Sequence, residues 1–392
     1  MDRSKWEYKK LEDLCEVITK GTTPTTLGYN FVEKGVNFVK IENISTYGKL
    51  LKDRLSCISE DCNQSMSRSQ LQEKDLLFSI AGALGRIYIV EKSLLPANTN
   101  QALAIIRLKE KNDLFIQYLS LFLNSNSIKR QIEKNKVGVA QLNLSLGQIK
   151  NFTVPIPSTT EQLKIVSEID CLNEMIAVKQ EQLKEFDKLA QSIFYDMFGD
   201  PLHDSKWDKV VLGNVCKTTS GGTPSKNNSS YYDGGNIGWL RSGDITTHIW
   251  ENKAFITKEG MDNSSAKMFP VNTVVVAMYG ATVGQVGILH IETTTNQAVC
   301  GIFPNNSFNP VYLCYHFMCV KPLLIKSAIG GAQPNISQCL IKSLRVPLPP
   351  LALQQQFADK ISAIEAQKEL VKQSIAETQA LLDYTMDYYF NE

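Results

Sequence analysis

Val154-Pro155-Ile156-Pro157-Ser158-Thr159-Thr160-Glu161 opens a run that reaches Phe198 with neither Gly nor Pro after Pro157. The paired prolines end what precedes them, because proline fixes φ and removes a backbone donor, and Ser158-x-x-Glu161 offers both halves of a capping box. A helix therefore starts at Ser158. Apolar residues then step at three and four: Ile165, Ile169, Leu172, Ile176, Leu183, Phe186, Ala190, Ile193 and Met197, with Lys179 interrupting one position. This heptad seam predicts an unbroken helix from Ser158 to Phe198, about 60 Å long at 1.5 Å per residue, stopped by Gly199 and Pro201. A stripe that narrow needs a partner.

The partner lies in the same chain. Val346-Pro347-Leu348-Pro349 repeats Val154-Pro155-Ile156-Pro157 at an offset of 346 − 154 = 192, and the same offset carries Ile165, Ile169 and Leu183 onto Phe357, Ile361 and Ile375. A second helix is predicted from about Leu351 to Phe390, with seam residues Phe357, Ile361, Ile364, Val371, Ile375, Leu382 and Tyr389, and with Thr378 and Thr385 as polar seam positions. The two helices are expected to pair as an antiparallel coiled coil.

The segments between the helices repeat as well. Trp6, Leu11 and Cys15 recur as Trp207, Leu212 and Cys216, Gly21-Thr22-Thr23-Pro24 as Gly221-Gly222-Thr223-Pro224, and Thr99-Asn100-Gln101-Ala102 as Thr295-Asn296-Gln297-Ala298. Phe38-Val39-Lys40 answers to Trp239-Leu240-Arg241, Gly82 and Gly85 to Gly280 and Gly284, and Ala140-Gln141-x-Asn143-x-Ser145 to Ala332-Gln333-x-Asn335-x-Ser337. The whole domain-plus-helix unit is duplicated. Within the first copy, Val36 to Ile41, Asp75 to Ile80 and Arg86 to Val90 read as neighbouring strands, Ala102 to Leu108 as another, and Leu114 to Ile132 as a helix. The fold class is α/β (α+β): two pseudo-repeated β-rich domains separated by two long paired helices. The segments are 1–157, 158–199, 200–349 and 350–392.

At 392 residues the chain has room for several cores, and 41 Lys plus Arg against 40 Asp plus Glu is balanced, so no basic tail advertises nucleic acid. A locally basic face would still meet phosphates. Nine scattered cysteines without Cys-x-x-Cys suit a reduced cytoplasmic chain without structural zinc, and neither a signal peptide nor a membrane span is expected. Phosphate-loop, nucleophile-elbow and His-Glu-x-x-His motifs are all missing. The four histidines, His203, His248, His290 and His316, have no counterparts at the matched positions. An enzyme is disfavoured, although a duplicated small-molecule enzyme and a protein-only coiled-coil scaffold stay open as rival classes.

Two copies of a domain opening with Trp and a Gly-Thr-Pro loop, each ending in Val-Pro-x-Pro before a helical arm that begins near Glu161-Gln162 or Gln354-Gln355, with Met197-Phe198-Gly199-Asp200 after the first arm, resemble the specificity subunit of type I restriction-modification systems. The resemblance covers the whole chain in the order recognition domain, central helix, recognition domain, distal helix. It implies a non-catalytic subunit that reads a bipartite double-stranded DNA site. It also implies recruitment of two methyltransferase (M) subunits and, through them, restriction (R) subunits. S-adenosylmethionine, ATP and Mg are then expected on those partners, with no cofactor or metal bound by this chain. The second arm departs from the first, having Leu353-Gln354 where the first has Glu161-Gln162.

In that light the duplication sorts residues by role. A position identical in both copies cannot by itself distinguish two different half-sites, so Gly21, Thr23, Pro24, Asn100, Gln101, Gln141 and Asn143, with counterparts that include Gln297, Gln333 and Asn335, suit loop geometry, buried hydrogen bonds or phosphate contact. Base readers belong where the copies diverge: the loops Thr25 to Asn37 and Ser225 to Asn236, Thr46 to Arg68 and Thr247 to Lys267, and the residues beside Gly85 and Gly284. The candidates within or next to these segments are Lys40, Arg54, Arg68 and Arg86 in the first copy and Lys226, Asn228, Tyr231 and Arg241 in the second. Arginine and lysine donate to guanine edges or phosphates, and asparagine pairs with adenine.

Overall fold

The structure is a computed structural model that describes residues 3–45, 48–134, 143–203, 207–328 and 335–391. It contains two 40-residue helices, a central one at Thr159–Phe198 and a distal one at Leu351–Phe390. The capping box forms at the first: Ser158 N–H donates to Glu161 Oε2 at 3.1 Å and Glu161 N–H to Ser158 Oγ at 3.4 Å. The chain divides into two compact units, Met1–Val178 with Ser374–Glu392, and Lys179–Gln373. Each unit therefore holds one globular segment and half of each long helix.

In the first unit the main sheet is antiparallel, in the order Cys15–Lys20, Leu103–Leu108, Leu76–Ser79, Ile87–Ile89. A smaller sheet runs Ser56–Ile58, Val36–Val39, Ala97–Thr99, and its second pairing is parallel. The strand expected at Val36 to Ile41 is thus not a neighbour of the other two. Val36, Phe38 and Val39 are all buried, which suits a strand covered on both faces rather than an alternating one. Glu7–Lys10 pairs with Thr153–Ile156 and brings the start of the unit beside its Pro-x-Pro end. The helix read from Leu114 to Ile132 is two helices, Asp113–Leu123 and Asn126–Lys134.

The second unit keeps this plan with additions. Its main sheet runs Thr218–Ser220, Val299–Ile302, Val274–Ala277, Val286–Leu289, and adds His248–Ile249 in parallel at the edge. The smaller sheet runs Phe255–Ile256, Ile237–Leu240, Thr293–Thr295, Met268–Phe269. One helix, Pro310–Lys326, replaces the pair of the first unit.

The predicted seam residues enter both cores. In the first unit Ile165, Ile169, Leu172 and Ile176 of the central helix share a buried cluster with Leu382, Tyr389 and Phe390 of the distal helix, and Ile375 packs against it. In the second, Ala190, Phe194 and Phe198 share one with Phe357, Ile361 and Ile364, flanked by Phe186 and Ile193. The helix halves there run antiparallel: Phe194 meets Phe357 at 5.5 Å, and Asp187 accepts from Lys368 at 2.8 Å. Two details differ from a uniform heptad. Leu183 and Val371 are only half-buried and belong to neither core. Toward Phe198 the fully buried positions are 190, 194 and 198, while Ile193 and Met197 lie at the margin. A straight helix drifts relative to a strict seven-residue repeat, and here the face is chosen by the rings of Tyr312 and Phe357 that cover it.

Candidate nucleic-acid interface

The repeated motifs converge at one end of each main sheet. Gly21 lies so close to the next strand that a Cβ would sit 1.8 Å from the Thr99 carbonyl oxygen, and at Gly221 it would sit 2.0 Å from that of Thr295. Glycine recurs because backbone touches backbone. Two residues on, the Thr23 hydroxyl donates to Gln101 Oε1, as that of Thr223 does to Gln297 Oε1. The Asn100 and Asn296 side chains close turns by accepting from the amides of Ala102 and Ala298 at 3.1 and 3.2 Å. Leu144 N–H reaches the Ile80 carbonyl at 2.8 Å, and Ile336 N–H that of Met278 at 2.9 Å.

Repeated bonds also fasten each segment to its helix. Tyr118 donates its hydroxyl to the Pro155 carbonyl at 2.9 Å, and Tyr312 to that of Pro347 at 2.8 Å. Gln162 and Gln354 both donate to the carbonyl five residues back, Pro157 and Pro349, at 2.9 Å. Proline carbonyls in these extended segments lack helical donors, and buried side chains supply them. Burial also raises the pKa of both tyrosines, so each remains a donor.

Of the repeated polar residues, Gln101, Asn143, Gln297 and Asn335 are exposed, and Asn335 forms an antiparallel bridge with Tyr279. Gln141 and Gln333 lie outside the described residues.

The divergent candidates fall into two groups. Arg54, Arg68 and Lys226 are exposed on short turns. The Arg54 carbonyl is fixed by Asn43 Nδ2 at 2.8 Å, which holds the backbone under that side chain. The remaining candidates are engaged within the chain. Lys40 Nζ donates to Ser56 Oγ at 3.0 Å and sits 4.3 Å over the Phe31 ring. Arg241 forks onto Asp244 at 2.7 and 3.3 Å, an ion pair that holds its pKa above the usual arginine value. Asn228 caps a turn by accepting from Ser230 N–H at 3.2 Å, and half-buried Tyr231 accepts at its carbonyl from Thr257 N–H at 2.9 Å. Arg86 turns inward onto the carbonyls of Ile44 at 2.7 Å and Ile41 at 3.4 Å.

Further contributors are not marked by identity between the copies or by the heptad. Asn43 and Gln285 carry loop bonds but differ from their counterparts Asp244 and Arg86, and Phe194 and Phe198 sit one step off the heptad. Among the described residues no helix is long and apolar enough to cross a membrane, and no group of three or more His, Cys, Asp or Glu side chains is placed to hold a metal.

Comparison with known proteins agrees with the duplication. Over 384 residues the chain is 23% identical to a putative type I restriction enzyme MjaX specificity subunit of Methanocaldococcus jannaschii, covering 92% of this chain and 87% of that one. Over 252 residues it is 25% identical to the EcoR124I/EcoR124II specificity subunit of Escherichia coli, covering 61% and 62%. A chain solved in work on complex assembly and conformational transition of the type I R-M system shares the fold, with a TM-score of 0.63 at 20% identity over 98% of this chain and 97% of that one. The sequence signature of the type I restriction modification DNA specificity domain matches residues 3–186 and again 204–380. With two such domains spanning most of its length, the chain belongs to the specificity subunits of type I restriction-modification systems.

Proposed function

We propose that each unit reads one half of a bipartite, asymmetric site on double-stranded DNA. In this reading the two long helices set the spacing between the halves and recruit two methyltransferase subunits, and restriction subunits join through these. S-adenosylmethionine, ATP and Mg belong to those partners. One observation carries the reading: the units repeat the same framework bonds while their loops differ in sequence. Frameworks that recur and loops that diverge suit two reading heads for two different half-sites. Within the loops, exposed Arg54 and Arg68 in the first unit and Lys226 in the second supply donors for base edges or phosphates.

The test is an exchange. Residues 1–154 are replaced by the matching segment of another protein of this plan, the complex is assembled with its methyltransferase, and modified adenines are located by sequencing. One half of the methylated sequence should change, with the other half and the gap unaltered. A change in both halves would mean that recognition is shared between the units.

A further inference from the structure

In each unit the antiparallel hairpin of the main sheet passes through a second glycine of positive φ, Gly85 at 82° and Gly284 at 75°. The next residue rejoins the strand, where the carbonyls of Arg86 and Gln285 accept from the amides of Ser79 and Ala277 at 2.8 Å. These two side chains differ in chemistry and end on the same target. Arg86 Nη1 donates to the Ile44 carbonyl at 2.7 Å, and Gln285 Nε2 donates to the Ile245 carbonyl at 2.8 Å. Ile44 and Ile245 are themselves buried in matched cores beneath the sheets. Each stands where a strand of the small sheet has ended and a divergent loop begins.

We infer that Arg86 and Gln285 are positioning residues that fix the start of one divergent loop in each unit, the loop that leaves Ile44 in the first and Ile245 in the second. The inference rests on the DNA-reading function proposed above. In the first unit the clamp has a second jaw. Asn43 accepts from Lys40 N–H at 2.7 Å through Oδ1 and donates to the Arg54 carbonyl at 2.8 Å, so the loop is held at both ends. Between the jaws, Lys49, Lys52 and Arg54 are exposed. In the second unit the loop continues as a strand beside Val286–Leu289, with Ile288 N–H reaching the Thr247 carbonyl at 3.0 Å, and then presents Trp250, Glu251 and Lys253 to solvent. Replacement of arginine by glutamine between the units argues against a role that needs positive charge. What the two side chains share is an N–H donor of sufficient reach.

The test compares Arg86→Gln with Arg86→Ala, and Gln285→Ala as the matched change. In the full chain, hydrogen exchange over residues 48–55 should quicken about tenfold in Arg86→Ala, the factor that one hydrogen bond to a buried carbonyl supplies. Arg86→Gln should stay near wild type. In complex with methyltransferase subunits, selection from a randomised duplex pool should show Arg86→Ala losing about tenfold in discrimination at one half-site. Gln285→Ala should lose it at the other. The dependence of affinity on salt should not change. Overturning results are unaltered loop exchange in Arg86→Ala, or Arg86→Gln and Arg86→Ala alike lowering the slope of log affinity against log salt by about 0.9, the signature of a lost phosphate contact. If the wild-type complex enriches no sequence, the proposed function fails, and the exchange experiment still decides whether the clamp exists.

Discussion

In the first unit Arg107 donates to both carboxylate oxygens of buried Asp75, at 2.8 and 2.7 Å, beside the paired residues Leu76 and Ile106. In the second unit the corresponding strand pair is Val274 and Ile302, and the flanking residues are Thr273 and Phe303. Phe303 packs edge-on against Phe269 at 5.4 Å, with Lys217 over its ring at 5.5 Å. Asp75 and Thr273 still share one task. Each side chain bonds the backbone three residues earlier, Asp75 accepting from Gln72 N–H at 2.8 Å and Thr273 donating to the Pro270 carbonyl at 2.7 Å. Where a residue only fills space or satisfies a neighbour, an ion pair and an aromatic pair are interchangeable, as expected when a buried charge pair gives little net stability over apolar packing. Where two distant segments must meet, as at Tyr118 with Pro155 and Tyr312 with Pro347, the units keep the same atoms.

The helix seam should be the least forgiving part of both units. Ile169 and Ile176 lie in the core of the first unit together with Leu382 and Tyr389. Converting both to Asp buries two charges without partners, a loss above about 5 kcal/mol that exceeds the margin of many domains. Hydrogen exchange should then show the first unit unfolded and the methyltransferase subunits no longer recruited. Ile361→Asp with Ile364→Asp should do the same to the second unit. A double variant that stays folded and assembles would show that the two halves of the seam are not equivalent.

The long helices and the duplication were legible because each rests on local rules repeated many times: the Ser158 capping box, breaker-free runs and matched Pro-x-Pro exits. The small sheets were not. Ile237–Leu240 pairs in parallel with Thr293–Thr295 across more than fifty residues, and such long-range pairing leaves no local periodicity to read. Individual candidate side chains were the hardest. Arg86 looks in sequence like any exposed cation beside a glycine turn, and only the fold shows its guanidinium on the Ile44 carbonyl.

Acid should separate the units. All four histidines belong to the second, and burial, aided by Lys209, holds His316 down to about 3. Burial also lowers His248 and His290. A histidine kept neutral in the fold takes up a proton only on unfolding, so stability is full above the unfolded value near 6.5 and falls as pH drops toward 3. From pH 6.5 to 4.5 His316 alone should cost the second unit about 2 kcal/mol. The first unit has Phe122 at this place, four residues after Tyr118 as His316 follows Tyr312. His316→Phe should therefore remove most of the acid loss, leaving the share of His248 and His290. Urea unfolding at pH 7 and pH 5, followed by hydrogen exchange in each unit, checks this, and an acid loss of equal size in both units would contradict it.

The smallest expected effect gives the sharpest comparison. Tyr118→Phe and Tyr312→Phe each delete one hydroxyl and leave the ring in place, removing the donor that the carbonyl of buried Pro155 or Pro347 receives from the ring. An unsatisfied buried acceptor costs about 1 to 3 kcal/mol, and the two losses should agree within about 0.5 kcal/mol, because burial and geometry match. The rings differ in surroundings: Tyr118 lies against Phe115 and Phe390, Tyr312 against Phe194, Phe198 and Phe308. If ring packing rather than the hydroxyl bond carries the anchor, both variants should be close to wild type in urea midpoint. If the losses are unequal, the units hold their helices by different means despite sharing the bond, and the framework is less strictly duplicated than its atoms suggest.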